Sequence, residues 1–170
     1  MVALEGRRAG LPVRGSPAVT RRRFAAALLA VLLAGCSVPR WPVDAPVVSR
    51  FGARREEGLL PRLHEGVDLD VPAGTPVRAM RPGRVRFAGE RGGWGRVAIV
   101  DHARGVTTVY AHLARVDVRT GERVKGRQVV GLSGSSGNAE GPHLHFEVWI
   151  DGRPADPVPL LGGEPRQIPF

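Results

Sequence analysis

Beyond residue 46 the chain alternates apolar and polar positions in short runs, each broken by glycine or proline. In order, the runs are VVSRFG, GVDLDVPAG, TPVRAM, GRVRFAG, GRVAIVDH, GVTTVYAHL, VVGLSG and HLHFEVWIDG. Valine and threonine are frequent in them, and β-branched residues suit a pleated surface. No segment keeps a 3.6-residue apolar period over about eleven residues, and no internal repeat is present. The pattern predicts an all-β domain of mostly antiparallel strands.

Period-two alternation assigns faces within these strands. In HLHFEV (143–148), Leu144, Phe146 and Val148 point to a core, and His143, His145 and Glu147 point the other way. In VDLDV (67–71), Val67, Leu69 and Val71 face inward, leaving Asp68 and Asp70 opposite. His64 precedes Asp68 by four residues in the loop HEG, where Gly66 allows a tight backbone. In VYAHL (109–113), Val109, Ala111 and Leu113 are expected inside, with Tyr110 and His112 on the far side. A solvated strand face explains any one of these runs, but three strands carrying histidine or aspartate outside the core point to a shared site. Imidazole nitrogen and carboxylate oxygen are the ligands zinc takes when no thiolate is offered, and three protein ligands with an open fourth position mark a catalytic site. His64 and Asp68 supply two such ligands from one loop-to-strand segment, and one of the HLH histidines supplies a third.

The N-terminus breaks the pattern. Arg21, Arg22 and Arg23 precede the apolar run Phe24–Ala34, whose eleven residues are about half of what a membrane-spanning helix needs. The run ends in LAGC, and the whole reads as a secretory signal over 1–35. Ser37–Pro46 contains three prolines, so 36–46 is expected to be a tether. The zinc domain is expected over 47–161, followed by an irregular tail, 162–170.

Charge needs correcting for the signal. The chain has 25 basic and 16 acidic residues, a net +9, but residues 1–35 hold six arginines and Glu5, leaving 19 against 15 and a net +4. With no basic run and little aromatic interleaving, nucleic acid is excluded as a partner. A mild positive excess does suit anionic polymers or lipid head groups. Cys36 is the only cysteine, so a disulfide within the chain is excluded and any zinc site beyond it must use histidine and carboxylate.

LAGC resembles the lipobox of bacterial lipoproteins, in which the cysteine is acylated and becomes the new N-terminus. TRRRF (20–24) resembles, over a short match, a twin-arginine export signal. The set HEGVD (64–68), YAHL (110–113) and GPHLHFEV (141–148) resembles the lysostaphin and LytM-type zinc endopeptidases, which cleave peptide cross-links in bacterial peptidoglycan. VPAGTPVRAMRPGRV, GRVAIVDHARGVTTVYAHL, VKGRQVVGLSGSSG and DGRPADPVPLL look like that family too, so the likeness runs from about Trp41 to Leu161. The resemblance implies antiparallel sheets forming a groove with the site on its floor, and one Zn2+ held by His64, Asp68 and His145. It makes His112 and His143 catalytic. Glu147 and Asp70 are weaker expectations, as carboxylates that orient a ligand. His102, in the turn VDHARG, is expected to be structural and to bond turn backbone. Family members often carry a tyrosine upstream of the first ligand to stabilise the oxyanion; the single tyrosine here, Tyr110, lies downstream.

The implied activity is zinc-dependent hydrolysis of peptidoglycan stem peptides or cross-links. The alternative is a non-catalytic regulator that binds peptidoglycan and activates a separate cell-wall amidase. Such relatives typically lack one or more ligands, and all five positions are present here. A cupin-type metal protein is excluded, because no histidine follows His145. Expected partners are peptidoglycan peptides and, through Cys36, a membrane; a regulatory protein partner is not identified. The expected location is the exported cell envelope, at an outer membrane facing the periplasm where one exists and otherwise on the outer face of the plasma membrane. Labelled fatty acid should be incorporated by the wild-type chain and not by Cys36→Ser; equal labelling of both would refute the anchor.

Overall fold

The structure, a computed structural model, describes residues 38–52, 54–55 and 62–166. The expected signal segment 1–35 and Cys36 lie outside these residues, as do 167–170 of the tail. The strands are β1 (Val47–Ser49), β2 (Arg54–Arg55), β3 (Arg62–Leu63), β4 (Val67–Leu69), β5 (Pro76–Arg78), β6 (Gly83–Glu90), β7 (Arg96–His102), β8 (Val106–Val116), β9 (Arg123–Val124), β10 (Val129–Ser133), β11 (Leu144–Ile150) and β12 (Arg153–Ala155). Each of the alternating runs read from the sequence overlaps one of them. The main sheet has the order β1-β4-β11-β8-β7-β6-β9, with β10 joining β8 to β5, β12 flanking β11, and β2 and β3 forming a separate pair. All the pairings are antiparallel. The chain is therefore mostly antiparallel β-sheet with almost no helix. Helix α1 (Pro157–Leu160) is a single turn capped by Asp156, whose carboxylate accepts from the Val158 N–H at 3.0 Å. Four residues are too few for a helical period to register in a sequence.

Directly paired residues share a sheet face, and the central register uses this to separate core from site. Phe146 stands between Val67 and Tyr110, and Tyr110 opposite Ala98. These residues join Leu69, Leu113, Leu144 and Val148 in the larger core cluster. One residue along, His145 stands between Asp68 and Ala111, so these three face the other way. That second face carries a smaller cluster of Val97, Ile99, Val109 and Ala111, against which Phe87, Trp94 and Trp149 pack.

Strand β8 corrects the alternation read from VYAHL. Tyr110 is fully buried in the larger core beside Phe146, with ring centroids 5.5 Å apart, while Val109 and Ala111 face the site side. The expected faces are restored only past His112, whose φ of 59° is left-handed. That residue acts as a bulge: strict alternation fails there, Leu113 returns to the core, and the histidine side chain is turned to the site face.

The segment read as a tether is also corrected. Trp41, Val43 and Ala45 are buried in the larger core, and the Trp41 indole donates to the Gly163 carbonyl at 2.9 Å. Trp41, Val43 and Ala45 thus belong to the packed domain, and Gly163 is tied to it through Trp41. Apolar residues at 41, 43 and 45 do alternate, but the prolines among them mask the signal.

Gly66 fixes how the HEG turn meets the sheet. A Cβ there would lie 2.4 Å from the Phe146 carbonyl oxygen and 2.8 Å from Cγ of Glu147. Only a residue without a side chain lets the turn lie flat on β11, which brings His64 over the sheet face that carries His145.

Candidate metal centre

His64, Asp68 and His145 come together as a buried triangle. His64 Nε2 lies 3.0 Å from His145 Nδ1, His145 Nδ1 lies 2.8 Å from Asp68 Oδ1, and His64 Nε2 lies 3.2 Å from the same oxygen. The second ring nitrogens say where the protons are. His64 Nδ1 donates to the Arg50 carbonyl at 3.0 Å, with the Ser49 hydroxyl at 3.2 Å. His145 Nε2 donates to the Glu147 carboxylate at 2.8 Å. In the neutral rings, His64 Nε2 and His145 Nδ1 therefore carry lone pairs, and both point at an ionised carboxylate oxygen. Three such acceptors in contact repel one another unless a cation or a proton is shared among them. The edges of a tetrahedral face of nitrogen and oxygen around zinc are about 3.3 Å, close to the separations found. The donor set fits a small divalent cation.

The electrostatics agree. Burial raises the Asp68 carboxyl, but hydrogen bonds and charge from His145 and His64 outweigh it and hold the group well below the usual carboxylate range. Burial lowers the His145 imidazole, and Asp68 and Glu147 more than reverse this, raising it to about 8. A proton thus competes for the place a cation would take. In the metal-free protein the stability contributed by His145 is complete below the unfolded value near 6.5 and is lost as pH rises through about 8.

Glu147 is buried, and its carboxylate also accepts from the Trp94 indole at 3.1 Å and the Trp149 indole at 2.6 Å. Both walls of the groove thereby help to orient the His145 ring. Trp149 could have been found from its shared face with Glu147, two residues away. Trp94 sits in the turn GGWG, where no periodicity marks it. Asp70 is exposed beyond the end of β4, and among the described residues its side chain makes no hydrogen bond or ion pair with the cluster.

The two further histidines flank the triangle. The rings of His112 and His143 are 4.7 Å apart, and His112 is 5.8 Å from His145. His112 Nδ1 donates to the Ser136 carbonyl at 2.8 Å and His143 Nδ1 to that of Gly141 at 2.9 Å. Both are thus anchored to backbone, with Nε2 left as the acceptor. His143 Nε2 is buried without a hydrogen-bond partner, 3.8 Å from Asp68 Oδ1. Burial lowers His112 to about 4; the Ser136 bond opposes this, and the charges of His143 and His145 reinforce it. His112 is a neutral acceptor at neutral pH.

The remaining candidates lie elsewhere. His102 donates from Nδ1 to the Pro82 carbonyl at 3.0 Å, and its Nε2 meets the Thr108 hydroxyl at 2.8 Å. The Tyr110 hydroxyl bonds the Met80 N–H and Thr108, inside the core, and burial pushes it up to about 12. No tyrosine among the described residues faces the cluster. Residues missed in the sequence that line the groove include Arg91, Trp94 and Asn138.

Residues 62–157 match the sequence profile of Peptidase family M23. The DD-carboxypeptidase/endopeptidase Mpg of Neisseria meningitidis is 47% identical over 113 residues, 66% of this chain and 26% of that protein. The murein hydrolase activator EnvC of Escherichia coli is 33% identical over 132 residues, 75% of this chain and 31% of that protein. The chain thus spans about a quarter to a third of the length of these relatives. The catalytic domain of the antimicrobial peptidase lysostaphin from Staphylococcus simulans superposes with a TM-score of 0.63 at 31% identity, covering 69% of this chain and 92% of that one.

The left-handed backbone at His112 separates its structural cost from its chemistry. Both His112→Gly and His112→Ala remove the imidazole, but only glycine also relieves the positive φ, at about 1–2 kcal/mol. Thermal unfolding should therefore place His112→Gly above His112→Ala; the reverse order would show that the bulge is unstrained.

Proposed function

The chain belongs to peptidase family M23, and on that premise we propose that it is a zinc-dependent endopeptidase hydrolysing stem peptides or cross-links of bacterial peptidoglycan. The observation that carries this reading is the intact set: three buried acceptors in contact, beside two histidines whose Nε2 atoms are unused by the fold. No structural need explains so many nitrogen and oxygen acceptors converging in one place. Zinc, when bound by His64, Asp68 and His145, supplies Lewis acidity that polarises a peptide carbonyl and lowers the pKa of water.

The chain's own groups do the rest. Glu147 fixes the His145 tautomer that presents Nδ1 inward, and the Arg50 carbonyl does the same for Nε2 of His64. His112 and His143, each tied to a carbonyl through Nδ1, accept a proton from the attacking water at Nε2. Once protonated, the same nitrogen donates to the developing oxyanion or to the leaving amine. Trp94 and Trp149, bonded to Glu147 through their indoles, help to keep water from its buried carboxylate. Export and acylation at Cys36 belong to the same proposal and are supported by the N-terminal sequence alone.

The likeness to EnvC supports a second reading, in which the domain binds peptidoglycan and activates another hydrolase. The full complement of ligands and histidines favours the enzyme. Mass spectrometry of purified peptidoglycan after incubation separates the two readings. The wild-type protein with one zinc per chain should release cleaved peptides. His145→Ala should lose zinc, activity and thermal stability together. His143→Ala should keep zinc and melting temperature while activity falls by roughly 10²–10⁴-fold. Peptidoglycan left intact by zinc-loaded wild-type protein would refute the enzyme.

A further inference from the structure

The groove continues past the metal cluster into a second cavity on the same sheet face, and Trp94 and Arg91 line both. Beyond Trp94 the second cavity is walled by Ile99, Val109 and Trp149, side chains of the smaller apolar cluster. An extended chain lying across the cluster would pass over Trp94 and set a neighbouring residue against these walls.

Arg91 differs from the arginines around it. Arg86 pairs with Asp101 at 2.7 Å, and Arg96 lies 3.4 Å from Glu90. Among the described residues Arg91 pairs with no carboxylate. Its guanidinium stands over the rings of Phe87 and Trp94, 5.7 and 5.6 Å from their centroids. Contact with ring faces orients the plane of the group while leaving its N–H donors free. The backbone beneath it is held as well. Arg91 N–H donates to the Gly95 carbonyl at 2.8 Å. Gly95, at φ 61°, lies so close to the facing loop that a Cβ would come within 2.4 Å of the Ser136 backbone. The acidic groups at the second cavity are Asp101, engaged by Arg86 and Thr107, and Asp151; Glu65 lies on the metal side. Glu147, also on the metal side, is engaged by His145 and the two indoles. The result is an exposed cation, set over two rings and paired with no carboxylate, at the junction of the acceptor cluster and an apolar recess.

We propose that Arg91 determines specificity by binding a free carboxylate of the substrate peptide beside the scissile bond, with the adjoining aliphatic part of that residue seated against Ile99, Val109 and Trp149. This rests on the endopeptidase reading, which makes the groove a peptide site, and it names the substrate class as anionic stem peptides with that carboxylate unamidated.

The test uses stem peptides with every carboxylate free and the same peptides with each carboxylate amidated in turn. Binding is measured by calorimetry on the zinc-loaded wild type, Arg91→Gln and Arg91→Lys, with hydrolysis followed separately. Wild type should lose about 10–100-fold in affinity when one particular carboxylate is amidated, the size of a charge-assisted hydrogen bond. In Arg91→Gln that preference should shrink to about two-fold or less, and Arg91→Lys should retain an intermediate value. Zinc content should be the same in all three. Equal binding of all peptides by wild type, or a preference unchanged in Arg91→Gln, would overturn the assignment, since the metal itself would then be the anion's partner. A preference that depends on Arg91 without any hydrolysis would sink the endopeptidase reading and leave the carboxylate site standing. Hydrolysis without the preference would do the opposite.

Discussion

Three unprotonated acceptors cannot rest about 3 Å apart in a buried place without a positive charge among them. The rest of the site follows from that constraint. His64 Nε2, His145 Nδ1 and Asp68 Oδ1 meet at 2.8–3.2 Å. Each is locked in its accepting role by a bond on its far side or by its ionisation. The outer partners, the Arg50 carbonyl and Glu147, accept only. They draw the ring protons outward and leave the lone pairs converging. The convergence of these acceptors is thus set by hydrogen bonds one layer away from the cluster.

The fold delivers these groups by two different devices. Strand register supplies the first: pairing of Asp68 with His145 and of His145 with Ala111 puts two members of the cluster and a small residue in a row. Ala111 leaves room where a larger side chain would fill the floor. The second device is local distortion. His64 comes from a turn that only glycine at 66 can lay against β11, and His112 from a left-handed kink inside a long strand. Regular sheet positions Asp68 and His145, and irregular backbone brings in His64 and a histidine that alternation alone would have sent into the core.

Much of this was legible in the sequence, for physical reasons that also explain the failures. Alternation is faithful where a strand is undistorted, so β4 and β11 gave the right faces for Asp68, His145, Glu147, Leu144 and Phe146. It misassigned Tyr110, Val109 and Ala111, because the parity of β8 is set by its pairing with Phe146 and is broken by a bulge at His112 that no residue type announces. His112 reached the site face for a reason other than the one inferred. Trp41, Val43 and Ala45 were hidden by prolines that read as a tether but instead shape a segment packed on the core. Trp94 and Arg91 were invisible because a glycine-rich turn has no period, and only the folded loops show what they face.

The arrangement of protons on the histidines is the most direct test of the central claim. Nitrogen-15 NMR of the imidazoles in the zinc-loaded protein distinguishes the two neutral tautomers of each ring. His64, His112 and His143 should carry their proton on Nδ1, and His145 alone should carry it on Nε2. A proton on Nδ1 of His145, or on Nε2 of His64, would contradict the claim that the outer hydrogen bonds aim these lone pairs at a shared cation.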